Sequence, residues 1–210
     1  MSKAYGTILA ILFFGTLWGA SEAILGGALY AAGVPHASVA LSAVAVAVLA
    51  GATVWLPRGG AVAAIGCVAA AYRLLNAGPW WCHLCAIVLF AAVFDALRLA
   101  FRPERGSVVR AAAFGLVATY LAYVTFAVLM KFAFRHPYWV DGWGKFVGYV
   151  GVSGTVAAAV GAVVFPASLG LARRLRTGGL GGVPLREALA RVAVGAVTAG
   201  LWVVAATVSI

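Results

Sequence analysis

The sequence predicts an all-α protein, a polytopic helical membrane bundle of six to seven transmembrane helices. Of the 210 residues, 65% are hydrophobic and only 10% are charged, and the mean hydropathy is +1.06. So few charges could not cover the surface of a water-soluble domain. The apolar runs are also long enough for spanning helices rather than for strands of a barrel.

Seven apolar segments can be drawn, separated by loop chemistry such as "GVPHAS", "LPRGG", "RPERGS" and "FRHPYWVDGWGK". The third segment is the shortest, so a six-helix bundle with one re-entrant piece is the alternative to seven spans. The chain is predicted to form a single integral membrane domain over residues 1–210. The predicted spans are approximately 5–32, 37–56, 60–78, 81–101, 108–132, 146–172 and 187–208.

Basic residues predict the orientation. The chain has 15 Lys and Arg against five Asp and Glu, and most of the basic residues fall on alternate connections. This asymmetry marks the cytoplasmic side, so the N-terminus is predicted to be cytoplasmic, in the cytoplasmic (inner) membrane of a bacterium or archaeon. Topology and contacts with anionic lipid explain the positive charge, so no nucleic-acid partner is expected. The residues on this side are Lys3, Arg58, Arg98, Arg102, Arg105, Arg110, Arg173, Arg174, Arg176, Arg186 and Arg191.

Ionisable residues inside the apolar segments are candidates for function, because each costs about 2.5–3.5 kcal/mol at the bilayer centre on insertion scales. Glu22 and Asp95 fall near the middle of their segments, and Arg73 lies nearer the outer end. A pocket would pair Arg73 with Glu22 or Asp95 around a polar substrate. The local alternative for Asp95 is an ion pair with Arg98, three residues on.

The first segment carries a candidate binding face. Trp18, Ser21, Glu22 and Leu25 recur at i, i+3, i+4 and i+7, so they share one side of a helix. An aromatic ring, a hydroxyl and a carboxylate together suit a small amine-bearing or heteroaromatic ligand. They also suit a proton-carrying carboxylate in a bundle. The candidate substrate-binding residues are Trp18, Glu22, Arg73, Asn76, Trp80, Trp81 and Asp95.

The stretch "GPWWCHLC", residues 78–85, opens the fourth segment. Its tryptophans fit an interfacial aromatic belt or a stacking surface for a ligand. Its thiols and imidazole are suitable ligands for zinc or copper at the outer face. On a regular helix His83 points about 100° away from Cys82, so such a site needs an unwound helix start. The candidate metal ligands are Cys82, His83, Cys85, His36 and His136.

The pair Cys82 and Cys85 also resembles, over these few residues, the C-x-x-C that opens a helix in thiol oxidases of the vitamin-K-reductase type. Those enzymes relay electrons through a second cysteine pair. This chain has one further cysteine, Cys67, so the relay is missing.

Small residues form stripes at helical spacing. Gly15, Gly19 and Ala23 make one stripe in the first segment, and Ala43 and Ala47 make another in the second. Such stripes let helix backbones approach closely, because lipid supplies no hydrophobic drive for helix association. They serve either packing within the chain or docking against another subunit, and the sequence leaves both uses open.

The length, the span count, the basic inner side and these stripes together resemble the substrate-binding S components of energy-coupling-factor (ECF) importers. The resemblance covers the overall plan of the chain. It implies that the stripes dock to a coupling subunit served by separate ATPases. It also implies that a vitamin-like or metal-type substrate is captured from the outer face, near Trp18, Glu22 and the loop "NAGPWWCHLC".

The sequence therefore favours a membrane-embedded solute-binding or transport protein over an enzyme. One alternative is a thiol- or metal-dependent membrane redox enzyme centred on Cys82, His83 and Cys85. Another is a non-catalytic subunit of a larger membrane complex, in which the stripes and basic loops would be interfaces.

Overall fold

The computed structural model describes residues 3–74 and 81–178, together with Val194 and Thr198. The described chain is helical and contains no strand. Five of its helices are long and apolar enough to cross a membrane, and a further apolar helix is shorter. The predicted all-α, polytopic membrane bundle is confirmed. The seventh predicted segment, 187–208, lies almost wholly outside the described residues.

The helices follow the apolar segments of the sequence. The first four are α1 Lys3–Ala31, α2 Ala37–Trp55, α3 Ala61–Leu74 and α4 Trp81–Phe101. A 3-10 turn at Pro103–Arg105 leads into α5, Val108–Val128, which continues as a π-helical stretch over Leu129–Ala133. Two short helices follow, α6 Pro137–Val140 and α7 Gly144–Val147, then a π-helical stretch at Gly148–Gly154 and α8 Thr155–Gly178.

Within the described ranges, the six long and medium helices pack into a closed ring. α1 contacts α2 and α3, α3 contacts α4, α4 contacts α5, α5 contacts α8, and α8 returns to α2. Phe94, Phe114 and Phe165 are fully buried where α4, α5 and α8 meet, with ring centroids 4.8–5.5 Å apart. This cluster fills the interior of the ring toward the end where α4 finishes and α5 begins.

Glycines bring α1 against α3. A Cβ on Gly19 would lie 2.6 Å from the Cβ of Tyr72, and one on Gly15 would lie 2.5 Å from the Cβ of Val68. Ala23, one turn further, is buried beside Tyr72. The stripe of α1 is therefore used for packing within the chain. This corrects the docking role that the family resemblance implied for these three small residues.

Glycines also bring α5 against α8. A Cβ on Gly115 would overlap the main-chain carbonyl of Gly161, and a Cβ on Gly161 would overlap the Thr119 hydroxyl. On α2, the half-buried Ala43 lies beside an apolar groove that α8 also lines. Both of these helix contacts thus depend on glycines.

Asp95 and Arg98 form a buried ion pair, with 3.1 Å between Arg98 Nη2 and Asp95 Oδ1. Arg98 also donates to the carbonyls of Leu56 (2.9 Å) and Arg58 (2.7 Å), and Asp95 accepts from the Gly60 amide (2.6 Å). The pair fastens the α2–α3 loop to α4. Asp95 thus forms the local ion pair that was the alternative to a ligand pocket. It lies beside the α2–α3 loop and not in the lining of the cavity described below.

Substituting Gly19 with Leu should lower the melting temperature of the detergent-purified protein. Overpacking of a tight contact typically costs 1–3 kcal/mol. The nearest atoms to a new Cβ are the Tyr72 Cβ and the Ala69 carbonyl oxygen, which are not the far end of a flexible side chain. The matched control is Gly6→Leu on the same helix, where a Cβ meets nothing within 4 Å. Equal shifts in the two variants would contradict the proposed α1–α3 contact.

Candidate functional site

The ring surrounds a half-open cavity of about 810 Å³ at the end where α1 finishes and α2 and α4 begin. His36, His83 and His136 all line it, so we name this the histidine end. The opposite end, which holds Arg58, Arg98 and the α4–α5 connection, is the arginine end. Pockets of about 300–1,000 Å³ are typical of small-molecule sites.

The first wall of the cavity is formed by α1, α3 and α4 and carries ionisable groups. The indole of Trp18 is 1% exposed, and its Nε1 donates to Glu22 Oε1 at 3.1 Å. The imidazole of His83 stacks on the ring of Tyr30, with centroids 5.5 Å apart and planes 11° apart. Phe90 meets Trp18 edge to face, with 6.2 Å between ring centroids. Of the predicted face of the first segment, Trp18 and Glu22 line the cavity, whereas Ser21 and Leu25 are not among its lining residues.

Arg73 reaches the same wall from the last turn of α3. Its Nη1 donates to the main-chain carbonyl of Glu22 at 2.9 Å. In the described chain the guanidinium therefore contacts the backbone of its predicted partner rather than the carboxylate. Arg73 and Glu22 nevertheless both line the cavity.

The opposite wall is formed by α2, α5 and the π-helical stretch Gly148–Gly154, and it is rich in hydroxyl groups. The Ser42 and Tyr123 hydroxyls are hydrogen-bonded at 2.9 Å, and His36 Nδ1 and Ser153 Oγ at 2.8 Å. The rings of Tyr123 and Tyr149 stack, with centroids 4.8 Å apart and planes 24° apart. This wall presents neutral donors and acceptors beside flat aromatic surfaces.

Sequence reasoning missed most of this hydroxyl wall. One signal was present in the second segment, where Ser38 and Ser42 stand four residues apart in an apolar run and thus share a helix face. A second was the presence of tyrosines inside the fifth and sixth segments, at positions 123 and 149. Buried tyrosine hydroxyls usually find a hydrogen-bond partner, so these residues indicate a polar surface within the bundle.

Residues 136–142, which we name the cap, border the cavity on one side. His136 begins the short helix α6 by accepting the Tyr138 amide at Nδ1, 3.2 Å away. Trp139 is buried and meets Tyr149 and Phe126 edge to face, with centroids 5.0 and 5.4 Å away. His136, Tyr138 and Trp139 all line the cavity.

A single lysine fastens the far end of the cap. Lys131 Nζ donates to the carbonyls of Trp139, Val140 and Gly142 at 3.2, 3.2 and 3.0 Å. The cap is also bracketed by left-handed backbone, at Arg135 (φ 47°) before it and Gly142 (φ 77°) at its end. Lys131 thus compensates carbonyls that the short α6 cannot satisfy internally.

The remaining predicted site residues fall in other places. Trp81 is 44% exposed and packs on His136, with 5.0 Å between ring centroids, outside the cavity lining. Asp95 belongs to the arginine end, as described above. Asn76 and Trp80 lie outside the described residues.

The structure does not bring the predicted metal ligands together. Among the described residues, no three His, Cys, Asp or Glu side chains are grouped so that they could hold a metal ion. α4 is helical from Trp81 onwards, so the unwound start that Cys82 and His83 would need is missing. Each histidine instead has a different neighbour: Ser153 for His36, Tyr30 for His83 and Trp81 for His136.

Comparisons of the chain with protein-family models, with curated proteins and with solved structures found no match. The functional argument therefore depends on the cavity and its two walls.

Replacing Lys131 with Met should loosen the cap. The variant loses three hydrogen bonds from a charged donor, and such bonds are individually worth about 1.5–3 kcal/mol. We expect backbone amides of residues 138–142 to exchange with deuterium at least about tenfold faster, because local opening becomes less costly. Lys145→Met is the matched control, since that ammonium lies over the Tyr138 ring, 4.1 Å from its centroid. Equal acceleration in both variants would contradict the role of Lys131.

Proposed function

We propose that this membrane protein binds a small solute in the cavity of the histidine end and serves as the solute-binding component of an importer. The observation that carries the proposal is the cavity of about 810 Å³ within the six-helix ring. It is large enough for a small organic molecule, and it combines apolar and aromatic surface with a few polar groups.

The ionisable groups that line the cavity support the proposal, because placing such groups in a spanning helix costs free energy. Ionisable residues in spanning helices are expensive and commonly mark ligand or ion pathways. At the arginine end the buried Asp95 and Arg98 satisfy each other and the loop backbone. At the histidine end Glu22 and Arg73 both line an accessible space. A bound solute accounts for that difference.

The direction of capture follows from charge. The arginine end carries most of the basic residues and is the predicted cytoplasmic side. The cavity then faces the outside of the cell, where a solute would enter beneath the cap. Release on the inner side would need a rearrangement of the ring, because the Phe94, Phe114 and Phe165 cluster lies between the cavity and the arginine end.

The partners of such a component follow from the sequence. It contains no G-x-x-x-x-G-K-[ST] loop for a nucleotide phosphate, so energy for uptake would come from separate ATPases through a coupling subunit. The α1 stripe packs against α3, and the coupling subunit would therefore contact a different surface. The plan resembles that of the S components of ECF importers.

Native mass spectrometry of the detergent-purified protein tests the proposal through Gly27→Phe. Gly27 lines the cavity, and a Cβ there meets nothing within 4 Å, so a phenylalanine can enter the cavity without disturbing the helices. We expect the wild-type protein to retain a small-molecule adduct and Gly27→Phe to lose it. Gly6→Phe, on the same helix but outside the cavity, should keep the adduct. An adduct that persists in Gly27→Phe would place the solute elsewhere.

A further inference from the structure

The charges on the cavity restrict what it can hold. Of the lining residues within the described ranges, three carry a formal charge at neutral pH: Glu22, Arg73 and Lys145. Lys145 is exposed at the mouth and rests on the Tyr138 ring of the cap. The two charged groups of the inner wall are thus one carboxylate and one guanidinium, joined through the Glu22 carbonyl.

Both inner groups retain capacity for a ligand. A carboxylate offers about four lone-pair sites, and among the described residues Glu22 accepts the Trp18 indole N–H at one oxygen. A guanidinium has five N–H donors in a planar fork, and Arg73 directs Nη1 to the Glu22 carbonyl. An ammonium can therefore bind at Glu22, and a carboxylate matches the fork of Arg73.

The balance of these charges selects against a ligand with a net charge. A solute held among these helices exchanges part of its water for protein surface, and an uncompensated charge there is costly. A purely cationic solute would pair with Glu22 and be repelled by Arg73. A purely anionic solute would pair with Arg73 and be repelled by Glu22. A solute with one group of each sign compensates both residues.

Aromatic surfaces flank the charged pair. Trp18 adjoins Glu22, Tyr30 and His83 form a stacked pair on the same wall, and Tyr123 and Tyr149 form another on the opposite wall. Flat rings favour other aromatic groups in offset or edge contacts. Among the described residues, the opposite wall adds neutral hydroxyls and no further formal charge.

We infer that the solute is a small aromatic molecule that carries a positive and a negative group together and has no net charge. Its ammonium would contact Glu22, its carboxylate would contact Arg73, and its ring would lie against the aromatic walls. This inference rests on the proposed function and names the class of substrate for the same cavity.

Isothermal titration of the detergent-purified full chain tests this with three probes that share an indole ring: tryptophan, tryptamine and indole-3-propionate. Tryptophan carries both groups, tryptamine only the cation and indole-3-propionate only the anion. We expect tryptophan to bind at least about tenfold more tightly than either of the others, a difference of about 1.4 kcal/mol. Equal or tighter binding of a singly charged probe, or no binding of tryptophan, overturns the inference.

Reciprocal variants separate recognition of charge from a structural role. Glu22→Gln should make indole-3-propionate the preferred probe, and Arg73→Gln should make tryptamine the preferred probe. Arg73→Lys keeps the positive charge and should keep the preference for tryptophan. If a glutamine variant weakens all three probes equally, the assignment of ligand groups to Glu22 and Arg73 is wrong.

Gly27→Phe distinguishes failure of this inference from failure of the proposed function. If tryptamine or indole-3-propionate binds best and Gly27→Phe abolishes that binding, the cavity remains the solute site and the paired-charge inference falls. If a probe binds equally to wild type and to Gly27→Phe, the cavity is not its site, and both the inference and the proposed function fail.

Discussion

The close approach of helices at glycine is the constraint on which the rest of the structure depends. In a bilayer the lipid is as apolar as the helices, so association relies on short-range packing rather than on the hydrophobic effect. Gly19 lets α1 reach the side chain of Tyr72, and Gly115 and Gly161 bring α5 and α8 into backbone contact. These contacts help to close the ring, and the ring supplies the walls of the cavity.

The two ends of the ring differ in how fully the protein satisfies the hydrogen-bonding groups of their ionisable residues. At the arginine end, Asp95 and Arg98 satisfy each other and the backbone of the α2–α3 loop. At the histidine end, Glu22 and Arg73 make protein contacts and still border open space. A polar group that is fully satisfied fastens the fold, whereas one that retains capacity beside a cavity is available to a ligand. This difference motivates placing the function at the histidine end.

Much of the fold could be predicted from the sequence, because apolar runs and turn residues determine where spanning helices begin and end. Trp18 and Glu22 could also be found, since neighbours on one helical turn share a face. A tyrosine at position 149 indicated a polar surface within the bundle, but the sequence could not place Tyr149 and Ser153 on the cavity. Their position depends on the ring order and on a π-helical stretch that changes which residues face inward. Asp95 was considered for the pocket because it falls inside an apolar segment, and the segment alone does not show the α2–α3 loop that the Asp95–Arg98 pair fastens.

The most direct test of the central claim is an experimental structure of the protein purified from its native membrane. The account predicts compact non-protein density in the cavity, beside Glu22 and Arg73 and beneath the cap, while the ring of helices stays closed. Two results would contradict it. One is a lipid acyl chain that enters between helices and fills the space. The other is a collapsed ring in which the Glu22 carboxylate and the hydroxyl wall meet directly and leave no cavity.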